Sequence, residues 1–127
     1  MSAGKRLLQI VELGGYPNFV PLFRSLGYEV EVVTSGRKAI SFLKAHRPAA
    51  VVAEFNYIPD FRDRTGWLES VLATLQAMPD TQMVVFYQPT EQEQFASLCQ
   101  RFSHFTALPQ PIDSAALEAA LSLGSAE

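Results

Sequence analysis

The side chains able to do chemistry in this chain sit at the ends of short apolar runs. Glu54 closes Ala49-Ala50-Val51-Val52-Ala53, which begins after Pro48. Five small or β-branched apolar residues between a proline and a charge read as a strand buried on both faces of a parallel sheet. The carboxyl end of such a strand faces the crevice where ligands and chemistry sit, so function is read first from Glu54. Glu12 follows a second run, Leu7 to Val11, and should lie beside it; Tyr87 ends a third, Met83 to Phe86. Gln110 stands between Pro109 and Pro111. The glycines of the loop Glu12 to Pro17 could bring a backbone close to a phosphate, but neither GxGxxG nor GxxxxGK[ST] accompanies them, and a plain turn is expected. Cys99 lies on an apolar stripe with no cationic neighbour to lower its pKa, so a small core residue is expected rather than a nucleophile. His46 ends a helix, where a positive side chain complements the dipole.

These positions need a scaffold of alternating strands and helices. Phe19, Leu22, Phe23 and Leu26 share one face of a first helix, which Asn18 can cap and Gly27 can close, with Pro21 tolerable in its first turn. Tyr28 to Val33 alternates before turning apolar, the pattern of a strand near a sheet edge. Thr34 or Ser35 then caps a helix through His46, with Ala39, Ile40 and Leu43 inward and Arg37, Lys38 and Lys44 outward. Leu68, Val71, Leu72 and Leu75 form the stripe of a third helix after an irregular charged loop, Pro59 to Gly66. Thr90 with Glu93 reads as a capping box opening a fourth helix, whose stripe is Phe95, Leu98, Cys99 and Phe102. His104 to Leu108 is the fifth strand. Asp113 caps a last helix through Leu123, which Gly124 stops. Five strands alternating with five helices require a parallel sheet with right-handed crossovers. The expected fold is α/β and doubly wound, strand order 2-1-3-4-5, helices on both faces, flavodoxin-like.

Composition narrows the function. At 127 residues and 48% apolar content, one domain over 1–127 is expected, with 124–127 a tail or the start of a linker. Nine of the ten Lys and Arg residues lie between Lys5 and Arg64, which leaves the C-terminal half acidic and a poor match for nucleic acid. One cysteine permits no internal disulfide, and no CxxC or Cys/His cluster is present to hold zinc. No apolar run reaches the roughly 18 residues of a membrane helix, so a soluble, cytoplasmic protein without a membrane contact is expected.

Over essentially its whole length the sequence resembles the receiver domain of two-component response regulators. Leu26-Gly27-Tyr28-Glu29-Val30 resembles that family's first-helix exit and second strand, and Thr34-Ser35-Gly36 with Ala39 the start of its second helix. The run from Pro48 resembles the strand that carries the phosphoacceptor aspartate, and Pro111-Ile112-Asp113 the segment after the fifth strand. The resemblance implies magnesium held by an acidic pair and the acceptor, a hydroxyl residue after the fourth strand and a lysine after the fifth. It also implies a cis proline there, at Gln110-Pro111 or Leu108-Pro109. This chain departs from that set. No aspartate precedes Asp60 and no lysine follows Lys44. Only Glu12 remains of the acidic pair, Glu54 stands where the acceptor would be, Tyr87 replaces the hydroxyl residue, and Gln110 or Leu108 the lysine.

The expectation is therefore a pseudo-receiver, not an enzyme and not phosphorylatable, with no cofactor and no metal. It would act as an interaction module, binding a protein partner or itself through the face from Thr90 to Leu123. Glu54 would be either a permanent negative charge resembling the phosphorylated state or a solvated glutamate at a strand end. A second reading is a small-molecule sensor whose pocket near Glu54 is lined by Tyr16, Phe55, Tyr57 and Tyr87. A flavin does not suit that pocket, because the hydroxyl-rich phosphate loop of flavodoxins is absent. A third is an active receiver with displaced acceptors, Asp60 or Asp63.

Overall fold

In the computed structural model, residues 5–11, 18–55, 66–78, 80–102 and 104–123 are described, with backbone alone at 66, 67, 122 and 123. Strands β1 (Arg6–Ile10), β2 (Glu29–Val33), β3 (Ala50–Glu54), β4 (Gln82–Tyr87) and β5 (Thr106–Pro109) form one sheet in the order β2-β1-β3-β4-β5. All four pairings are parallel. Between the strands run helices α1 (Val20–Ser25), α2 (Gly36–Ala45), α3 (Gly66–Leu75) and α4 (Gln92–Arg101), and α5 (Ser114–Leu123) closes the set. The doubly wound order expected from the alternation is the one found. β3 is buried at every residue, as an apolar run at the sheet centre must be, whereas β2 and β5 are the mostly exposed edges.

Strand alternation divides the core in two. Leu8, Val51, Ala53, Met83 and Val85 pack with Ala39 and Leu43 of α2, Leu72 of α3 and Phe95 of α4. Leu7, Ala50, Val52, Val84 and Phe86 pack on the opposite face with Phe23 of α1 and Leu117 of α5. The helix ends follow local chemistry. Ser35, rather than Thr34, caps α2 by accepting from the Lys38 N–H at 3.2 Å. Asn18 accepts from the Val20 N–H at 3.1 Å from one place outside the cap position, and Asp113 accepts from Ala115 N–H at 3.3 Å. Gly27 leaves α1 with φ of +96°, a conformation in which any side chain would be strained. Gly124, expected to stop α5, lies outside the described residues.

Two local expectations fail. The Thr90–Glu93 capping box does not form: Pro89–Glu91 make a short 3₁₀ turn, α4 begins at Gln92, and its cap Glu91 makes no side-chain cap bond. Proline pre-sets its own φ and opens the turn one step early, which carries Thr90 into it. The fifth strand begins at Thr106 rather than His104, since the ladder to β4 starts with Val84 opposite Thr106.

Candidate functional site

The carboxyl ends of the strands lie level. Glu54 pairs with Phe86, and the Phe55 N–H donates to the Phe86 carbonyl at 2.7 Å. One step further, Gln110 N–H donates to the Tyr87 carbonyl at 2.8 Å, and Val11 N–H to Val33 at 2.9 Å. Glu54, Tyr87 and Gln110 are thus brought to one rim by the register itself. Glu12, Tyr16, Tyr57, Asp60 and Asp63 lie outside the described residues. The cis bond is Gln110–Pro111, and Leu108 is an ordinary member of β5, paired with Phe86.

Glu54 is only 1% exposed, which overturns the solvated strand-end alternative. The reason is its neighbourhood. Strand alternation groups Glu54 with Ala50 and Val52 on the face covered by α1 and α5, where Phe86 and Phe19 meet edge to face at 6.0 Å. Gln9, opposite Val52 on that face, is 4% exposed and is, with Glu54, one of two buried polar residues among those described. It passed unnoticed as the single polar residue inside the run Leu7 to Val11. Its type was the available signal, because a buried amide needs a partner.

Of the aromatic residues assigned to a pocket, the two described, Phe55 and Tyr87, belong instead to the core of the other face. Tyr87 stacks on Phe95 with centroids 4.4 Å apart and planes 7° from parallel. Phe55, 2% exposed, meets Phe95 at 5.2 Å, and Phe105 meets it at 5.9 Å. Two described clefts, of about 330 and 420 Å³, lie at the opposite end of the molecule around His46, lined by Arg6, Glu29 and Phe42 in one and Leu43, Arg47 and Met78 in the other. His46 is the C-cap of α2, at the helix end where it was expected, and its Nδ1 lies 3.0 Å from the Arg6 guanidinium. Arginine can only donate, so this contact places the Arg6 guanidinium, and its charge, beside the helix end.

Cys99 also moves. It is exposed on α4, because the buried stripe narrows to Phe95 and Leu98. Nearby protein nonetheless desolvates the thiol and pushes its pKa up from the usual thiol range. Because the thiolate is the nucleophile, iodoacetamide should alkylate this single cysteine with a midpoint above that of a small free thiol, and more slowly at pH 8 than such a thiol does. A midpoint below that of the free thiol would reveal an activating group that the geometry lacks.

Among the described residues no three His, Cys, Asp or Glu side chains gather to hold a metal, and no helix is long and apolar enough to cross a membrane. No protein-family model matches the sequence, and no curated protein does. Solved structures do match. A response regulator receiver protein from Sinorhizobium medicae is 22% identical with a TM-score of 0.71, over 95% of this chain and 94% of that one. A CheY-like receiver domain from Methylobacillus flagellatus is 23% identical, TM-score 0.68, over 94% and 98%. A receiver domain protein from Clostridium thermocellum is 15% identical, TM-score 0.70, over 94% and 93%. At these identities the likeness is one of fold.

Proposed function

We infer that this chain, which has the fold of response regulator receiver domains, is a pseudo-receiver: a signalling domain that takes no phosphoryl group and acts by binding protein. The observation that carries this reading is the identity and burial of Glu54. It ends the central strand at the position resembling the phosphoacceptor, where an acidic group longer than aspartate is fixed by the chain rather than made by adding a phosphoryl group. The ladder places Leu108 inside β5 opposite Phe86 and Gln110 just past its end, which supports the register in which Gln110 replaces the lysine. An amide there has no charge to neutralise a phosphoryl oxygen.

The binding face is formed by α4, β5 and α5. Ala96, Ala107, Ala115 and Ala119 are exposed on it, and side chains this small lose almost no rotamer freedom on association. Arg101 is its one cation among the described residues, and Glu69 of α3 holds it at 2.6 Å. The ligand-sensing alternative is less favoured because Phe55 and Tyr87 already fill the core.

The test uses the folded chain as bait in a native lysate, followed by affinity measurement on the partner recovered. Glu54→Gln keeps the volume of the buried side chain and removes its charge. Partner affinity is expected to fall about tenfold, roughly 1.4 kcal/mol, while the melting temperature changes little. Equal affinity for parent and variant would end the reading of Glu54 as a built-in phosphoryl mimic.

A further inference from the structure

The distribution of charge around the carboxyl-end rim points to an assembly. α2 carries Arg37 and Lys38 in its first turn, both exposed, and no acidic residue there. That is the wrong end of a helix for cations, since the dipole is positive at its N-terminus, and nothing in α2 offsets them. α4 has the opposite arrangement: Glu91 caps it and Glu93 lies in its first turn, exposed. α2 and α4 lie in the same layer, against the same core, with their first turns at the same rim. They lie toward opposite sides of the sheet: α2 packs over β1 and against α3, on the β2 side, whereas Phe95 of α4 meets Tyr87 of β4 and Phe105 just before β5. A copy displaced sideways, without being turned over, therefore sets the first turn of its α4 against the first turn of α2 of its neighbour.

We propose that the chain associates with itself head to tail, the Glu91 and Glu93 end of α4 in one copy docking on Arg37 and Lys38 of α2 in the next. The occupant is a second copy because the complementary charges are both on this chain, at matching height and in the same layer. Such a contact is heterologous, so it leaves a free edge at each end and grows with concentration instead of stopping at a dimer. The inference rests on the self-binding reading above, but adds to it a second surface that a symmetric contact through α4, β5 and α5 does not use.

Sedimentation velocity on the full chain tests it. At about 20 mM salt the weight-average sedimentation coefficient should rise with protein concentration, and the rise should vanish at about 0.5 M, where exposed charges are screened within a few ångströms. The double variants Arg37→Gln/Lys38→Gln and Glu91→Gln/Glu93→Gln should each stay monomeric alone. Mixed one to one they should form a heterodimer and nothing larger, since each retains one working edge. If the Arg37/Lys38 variant still associates while the Glu91/Glu93 variant does not, the α4 face binds symmetrically: the head-to-tail inference falls and the self-binding reading stands. A parent chain that is monomeric at every concentration in low salt overturns the inference and self-binding together, leaving a foreign protein as the only partner class.

Discussion

Incubated with magnesium and acetyl phosphate, the protein should retain its intact mass. Transfer from a phosphodonor requires positive charge on both sides of the moving group: a divalent ion anchored by acids and a lysine that meets the departing oxygens. Lysines stop at Lys44, well before β5, and no aspartate precedes Asp60. Groups of this kind act as a unit, so restoring one member recovers almost nothing. Glu54→Asp should therefore remain unmodified as well. It also withdraws a methylene from a side chain that is 1% exposed, and leaves its carboxylate short of whatever it contacts. A phosphoryl adduct on the parent, lost on mild alkaline treatment and mapped to Asp60 or Asp63, would establish an active receiver with displaced acceptors. An adduct on Glu54→Asp would refute the degenerate-pocket account directly.

A large loss of stability is expected for Phe95→Ala. Phe95 is 4% exposed and sits among Tyr87, Phe55 and Phe105, so its ring joins α4 to the ends of β3 and β4 and to the segment before β5. Truncating a buried phenylalanine costs about 3–5 kcal/mol from lost transfer energy and the cavity left behind. Urea denaturation should register a fall in that range with a lower midpoint. A change below about 1 kcal/mol would mean that α4 is held chiefly by Leu98 and by the Arg101–Glu69 pair, an exposed contact worth at most about 1 kcal/mol.

The architecture was legible because it depends on long-period features of the sequence. Ala49 to Ala53 has no polar residue, so it had to be central, and Tyr28 to Val33 alternates, so it had to be near an edge. The register then brought Glu54, Tyr87 and Gln110 to one rim without further information. What escaped was the direction of individual side chains. Tyr87 and Phe55 read as pocket walls because sequence places them near Glu54, but pairing Glu54 with Phe86 leaves the next residues on the opposite face. Cys99 shared a periodicity with Leu98 yet lies outside it, since a ten-residue helix over a sheet edge buries a narrow stripe. Thr90 had the spacing of a capping box, and Pro89 decided otherwise. Gln9 needed burial to be seen at all.

The last turn of α5 is fastened where the strands begin. The Tyr28 hydroxyl donates to the Leu121 carbonyl at 3.2 Å, and the Gln82 side-chain amide donates to that of Ala120 at 3.3 Å. Tyr28 immediately precedes β2 and Gln82 opens β4, so α5 delivers the chain to the pole opposite Glu54. A biosensor surface or fluorophore attached beyond Leu123 would therefore leave the carboxyl-end rim pointing into solution. Coupling through lysine amines, that of Lys38 among them, would instead mask one of the two edges on which assembly depends. The choice of attachment chemistry thus selects which surface an immobilised measurement can report.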